Sequence, residues 1–109
     1  MTKTPNPPNI LFIMTDQQRA DALGCVTPWF HTPHLDRLAA ESAHFSRFFA
    51  QSPVCGPSRV NLITGRYPSS HGVRQNQAFT WGEPHIFRVL KKAGYHLGAF
   101  GKNHMRPRS

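Results

Sequence analysis

Acidic residues are scarce in this chain. Five Asp and Glu stand against thirteen Lys and Arg over 109 residues, for a formal net charge of +8. Such an excess suits nucleic acid, a membrane surface or an anionic substrate. The basic residues are scattered, from Arg19 and Arg37 through Arg59, Arg66 and Arg74 to Lys102. They form no stripe and no platform interleaved with aromatics, so no nucleic-acid partner is expected. Cysteine is scarce as well. Cys25 and Cys55 are the only two, too few for a disulfide framework. Long apolar runs are missing. The run from Ile10 to Met14 falls far short of the roughly 20 residues of a membrane span. No small-residue cleavage site follows it, which argues against a secretory signal. The expectation is no membrane partner and a cytoplasmic location.

The patterning that is present alternates between two kinds of segment. Residues 9–14 are continuously apolar, as in a strand buried on both faces of a parallel sheet. Residues 32–42 predict a helix with Thr32 as cap, Pro33 at its first position and Leu35, Leu38 and Ala39 on one side. Residues 44–50 cluster Phe45, Phe48 and Phe49 and predict a second strand. A short helix over 57–63 stops at Gly65, and an Asn- and Gln-rich loop covers 72–82. Residues 83–93 predict another helix, with Ile86, Val89 and Leu90 inward and Gly94 closing it. Residues 96–101 predict a third strand. Strands alternating with helices imply an α/β fold, a mostly parallel sheet flanked by helices. Ligands in such folds sit beyond the carboxyl ends of strands. Three chemistry-bearing clusters follow the three expected strands.

The most informative is Cys55-Gly56-Pro57-Ser58-Arg59, followed by Leu62, Thr64, Gly65 and Arg66. Proline belongs in a first helical turn, so Cys55 falls where a helix begins. Arg59, four residues on, then shares its face at about 5–6 Å between Cβ atoms. A nucleophile and a cation at a helix N-terminus form an anion site with a reactive centre. After the first strand come Asp16 and Gln17, hard oxygen donors suited to calcium, magnesium or manganese. Taken alone the pair is better read as a solvated turn or helix cap. After the third strand come Lys102, Asn103 and His104. Extended chain would put Lys102 and His104 on one side, about 6–7 Å apart. There they could grip an oxyanion and move a proton.

The Cys55 run resembles the signature of the type I sulfatases, Cys-x-Pro-Ser-Arg-x-x-Leu-x-Thr-Gly-Arg, at every fixed position. Residues 94–104 resemble that family's Gly-Tyr…Gly-Lys-Trp-His segment, with Asn103 in place of Trp. The resemblance implies an alkaline phosphatase-like α/β fold and cleavage of a small-molecule or saccharide sulfate ester. It implies that Cys55 is converted to formylglycine by the formylglycine-generating enzyme. One hydroxyl of the hydrated aldehyde attacks sulfur, and the other expels sulfate as the carbonyl re-forms. By resemblance Arg59 steadies that centre, Lys102 contacts the sulfate, His104 contacts nucleophile or substrate oxygens, and Asn76 lies near the nucleophile. Asp16, Gln17 and the modified Cys55 would bind a divalent metal, calcium ahead of magnesium or manganese. Gln17 stands where many members have a second Asp. His31, His34, His44, His71, His85 and His96 show no metal-ligand spacing and are expected at the surface or in packing.

Related phosphonate monoester and phosphodiester hydrolases share the cysteine signature but tend to lack the Lys-x-His side chains, so Lys102 and His104 favour sulfate. The resemblance runs from Asn9 to His104 and covers only the front of the family's domain. Residues 1–8 are therefore expected to be a disordered lead, and 9–109 the N-terminal part of a truncated catalytic domain, inactive by itself. A non-catalytic, basic anion-binding fragment is the rival from another class. It requires salt-sensitive binding to nucleic acid or anionic membranes that survives Cys55→Ala. The purified chain with Cys55 modified is expected to leave p-nitrophenyl sulfate intact. Turnover that disappears in Cys55→Ala would refute that expectation.

Overall fold

The computed structural model describes residues 7–76, 82 and 84–104, and its four helices lie in two compact units, residues 1–47 and 48–109. In the first unit, turns occupy the low twenties, closed by bonds such as Val26 N–H to Leu23 O at 3.0 Å and Phe30 N–H to Thr27 O at 3.0 Å. They lead into α1, Pro33–Ala40. Thr32 is its N-cap and Pro33 opens its first turn, as the spacing predicts. The Thr32 hydroxyl makes no bond to the amides of its own helix. It accepts instead from Gly24 N–H at 2.7 Å and donates to Asp36 Oδ1 at 2.8 Å, while Cys25 N–H donates to the same oxygen at 2.9 Å. One carboxylate thus ties the turn region to the helix. Gly24 has no room for a side chain: a Cβ there would collide with the Asp36 carboxylate and the Phe30 carbonyl. The expected apolar side of α1 does not form a core, since Leu35 and Leu38 are exposed and no residue of the helix is buried.

The second unit holds α2 (Cys55–Thr64), α3 (Pro68–His71) and α4 (Ile86–Lys92). Pro57, Val60 and Ile63 recur every three residues on α2, and that stripe is buried. Val60 is 1% exposed and packs with Ile63 and Val73, with Phe87 of α4 laid against them. Full burial of a valine contributes roughly 1.5–3 kcal/mol, so this small core accounts for α2 holding its place. Gly65 ends α2 at φ 65°, its N–H bonded to Asn61 O at 2.8 Å. Such left-handed backbone suits a residue without Cβ.

Two expectations need correction here. α4 begins at Ile86, with His85 as its N-cap and Nδ1 accepting from Arg88 N–H at 3.3 Å. Glu83, expected to begin it, lies outside the described residues. Phe87, rather than Ile86 and Val89, faces the core. A shift of one position turns a helix face by about 100°, and the larger aromatic wins the buried place. The unexpected α3 interrupts the stretch before the loop, where Pro68 supplies a favoured first position and Gly72 a left-handed end.

The larger correction concerns the sheet. Among the described residues there is no strand. None of residues 9–14, 44–50 and 96–101 is in a strand, and Leu11, Ile13, Phe45, Phe48, Phe49 and Phe100 are widely exposed. A strand is stabilised by hydrogen bonds to its neighbours and by layers covering its faces. An apolar run cannot supply those alone, so the α/β expectation has its helices here without its sheet.

The Asp36 cluster has a pH signature. The Thr32 hydroxyl, followed by the Cys25 amide, holds the Asp36 carboxyl below the usual carboxylate range. A folded pKa lower than the unfolded one stabilises fully above about pH 4, and that stabilisation is lost as the pH falls through the folded value. Protection of the Gly24 and Cys25 amides, their exchange relative to the intrinsic rate at each pH, should therefore fall on acidification in the parent chain. In Asp36→Asn that protection should be low and independent of pH. An unchanged acid profile in Asp36→Asn would contradict this.

Candidate active site

The site grows from the first turn of α2. Val54, extended at φ −91° and ψ 134°, is the N-cap and has no side chain able to cap. The amides of this end must find other partners. Gly56 N–H finds Asn76, whose Oδ1 accepts at 2.7 Å from twenty residues on. Cys55 is the first helical residue and is half-buried. Lys102 brings its Nζ to 3.8 Å from Cys55 Sγ. Arg59, one turn along α2, donates from a guanidinium nitrogen to the Lys102 carbonyl at 2.6 Å. Cys55, Arg59, Asn76 and Lys102 are thereby gathered around one helix end, as their assignment to one site requires.

His104 is placed differently from expectation. Gly101 at φ 80° and His104 at φ 55° are both left-handed, so strand alternation does not govern the direction of the His104 side chain. Its Nε2 is buried and has no hydrogen-bond partner among the described residues. Gln17, at φ 54°, is the other non-glycine residue with left-handed backbone among the described residues. Such backbone costs on the order of 1–3 kcal/mol and concentrates at functional sites. Both positions carry candidate site chemistry in the sequence, which gives the strain a physical rationale.

Asn61 and His71 are supports that sequence patterning missed. Asn61 is 7% exposed. Turned so that its NH2 faces inward, its amide donates to Pro57 O at 3.0 Å and Arg66 O at 3.2 Å and meets His71 Nε2 at 2.5 Å. It thus links the start of α2 to the turn beyond its end. The signal that could have found it is a polar residue inside a buried helical stripe, which must find partners.

The implied metal has a partial donor set. Asp16 and Gln17 lie in the first unit and Cys55 in the second. Among the described residues no three His, Cys, Asp or Glu side chains form a group able to hold an ion. The two oxygen donors fit a hard cation in kind. They are too few for a complete site. No helix among the described residues is long and apolar enough to cross a membrane.

The Gly56–Asn76 contact is close enough to constrain both residues. A Cβ on Gly56 would lie 2.7 Å from Asn76 Oδ1, 3.1 Å from Asn76 Cα and 3.2 Å from Gln75 O. Two of those neighbours belong to backbone and cannot swing away. Gly56→Ala should therefore cost about 1–3 kcal/mol and weaken the Gly56 N–H bond, read by denaturant unfolding and by the Gly56 region's amide exchange. Gly82→Ala, where a Cβ meets open space and the backbone is not left-handed, should leave that exchange unchanged. Equal exchange at the α2 start in Gly56→Ala and the parent would disprove the contact.

The chain is similar in sequence to known proteins of one family. The family model described as Sulfatase matches residues 8–109. An ulvan-active sulfatase of Formosa agariphila is 40% identical over 103 residues, covering 93% of this chain and 20% of that protein. An arylsulfatase of Clostridium perfringens is 39% identical, covering 92% of this chain and 21% of the relative. An N-acetylgalactosamine-6-sulfatase of Sus scrofa is 38% identical, covering 96% and 23%. The chain thus spans about a fifth of the length of these relatives. No solved structure gives a significant match. A signature cysteine opening a buried helix, a lysine brought against it, and a family match over nearly every residue lead to one conclusion: this chain belongs to the sulfatase family.

Proposed function

We propose that this chain carries the nucleophile and the anion grip of an enzyme that hydrolyses sulfate monoesters. The observation that carries the proposal is the approach of Lys102 Nζ to Cys55 Sγ at the N-terminus of α2. Cys55 would act after conversion to formylglycine, whose hydrated aldehyde supplies one hydroxyl to attack sulfur and a second to release the sulfate. The sulfur-to-oxygen exchange puts a smaller atom on the same Cβ, so the half-buried position accommodates the group.

The remaining work falls to the neighbouring side chains. Lys102 would place its ammonium against the sulfate oxygens, where charge must be offset as the S–O bond breaks. Arg59 would hold the Lys102 segment through its carbonyl. A guanidinium carries its donors in a planar fork whose geometry suits an oxyanion. Asn76 would orient the first turn by occupying Gly56 N–H. His104 would use its buried Nε2 on nucleophile or substrate oxygens. Asp16, Gln17 and the modified Cys55 are the residues that would contribute ligands to a divalent cation, calcium ahead of magnesium or manganese, whose positive charge would help offset that of the ester. The formylglycine-generating enzyme and a small-molecule or saccharide sulfate ester are the corresponding partners. The relatives named for N-acetylgalactosamine 6-sulfate and for ulvan make a sulfated saccharide a fitting substrate class.

Peptide mass spectrometry across Cys55 after co-expression with the formylglycine-generating enzyme tests this. The expected result is oxidation of the Cys55 thiol to an aldehyde, sulfur replaced by oxygen with the loss of two hydrogens, absent in Cys55→Ala. A thiol that stays unmodified under conditions that convert a control substrate would overturn the proposal.

A further inference from the structure

We propose that Lys102 and the aldehyde formed at Cys55 condense within the folded chain, giving a reversible imine that masks the nucleophile. This rests on the conversion of Cys55 proposed above and concerns a second fate of the same carbon. Lys102 Nζ lies 3.8 Å from Cys55 Sγ. The carbon that becomes the aldehyde is the Cβ already bonded to that sulfur. Both ends of the reaction are held. Cys55 is fixed by the first turn of α2, and the Lys102 backbone is tethered by the Arg59 guanidinium at its carbonyl. The lysine stem between tether and amine has four rotatable carbons, so the amine can close the remaining distance. Reacting groups held near 3–3.5 Å gain a large effective concentration over the same groups free in solution. Lys91 and Lys92 end α4 instead, and a guanidinium such as that of Arg59 is a poor nucleophile toward an aldehyde.

The step balances without any oxidant or reductant. The lone pair of the uncharged amine adds to the carbonyl carbon, and the C=O π pair moves to oxygen. The two amine hydrogens then leave with that oxygen as water, and a C=N bond remains. Water reverses the reaction. Hydrate and imine compete for one carbon, so imine formation would remove the nucleophile and the lysine charge together. It would also shield the aldehyde from other cellular amines.

The test uses the 109-residue chain co-expressed with the formylglycine-generating enzyme. Folded protein is treated with cyanoborohydride, digested and mapped by mass spectrometry, while a parallel sample is treated with methoxyamine to report the aldehyde as an oxime. The expected product joins position 55 to Lys102 and is one oxygen lighter than the two separate peptides. It should fall at least about tenfold when the chain is denatured before reduction. It should vanish in Lys102→Arg, with the oxime retained. An oxime without the cross-link overturns the imine and leaves Cys55 conversion standing. So does a cross-link to Lys91 or Lys92 in place of Lys102, or one unaffected by denaturation. Absence of both oxime and cross-link removes the imine and the conversion together.

Discussion

The first turn of α2 is held from two directions, and the candidate site depends on both. From below, Pro57 and Val60 are fully buried, and Val60 packs with Ile63, Val73 and Phe87. From above, Asn76 takes the amide hydrogen of Gly56. A helix start is a row of unsatisfied amides carrying partial positive charge. Burying one flank fixes its direction, and bonding Gly56 fixes its register against the following loop. Cys55 sits at the end so defined, and the approach of Lys102 has a meaning only because that end does not move.

The charge excess takes a local form in this setting. Thirteen basic residues suggest an anionic partner without saying where it binds. In the second unit two of them work together, with Arg59 bonded to the Lys102 carbonyl and the Lys102 ammonium pointing toward Cys55. Two of the thirteen basic residues are thereby brought together at one helix end. In the first unit the scarce acidic groups are structural as well. Asp36 gathers Thr32 and Cys25, and Asp21 pairs with Arg19 at 2.6 Å. The Asp21–Arg19 pair is solvent-exposed and joins neighbours in sequence, so Asp36 alone of the two links separate segments.

The family and the helices are legible in the residues, whereas the expected strands are not found among the described residues. Thr32-Pro33 and Pro57 to Gly65 bound α1 and α2 to within about two residues because caps, prolines and glycines act through their immediate neighbours. The inward face of α4 is misread from periodicity, which cannot rank Phe87 against Ile86 without the surface they compete for. The runs at 9–14, 44–50 and 96–101 carry the composition of buried strands. Burial and pairing are properties of the neighbours, however, and among the described residues those neighbours are lacking.

By itself the sequence determined the chemistry of the site: a cysteine ahead of Pro57 at a helix start, an arginine one turn later, and a lysine beyond Gly101. Those follow from residue type and from spacings of a few residues, where backbone geometry leaves little choice. Only tertiary structure decided that Lys102, 47 residues away, meets Cys55 rather than solvent, and that Asn76 meets Gly56. Closing such loops costs entropy that no local preference can offset. The small core of Val60, Ile63 and Val73 helps offset it, and with the tether from Arg59 it turns the Cys55 run into an assembled site.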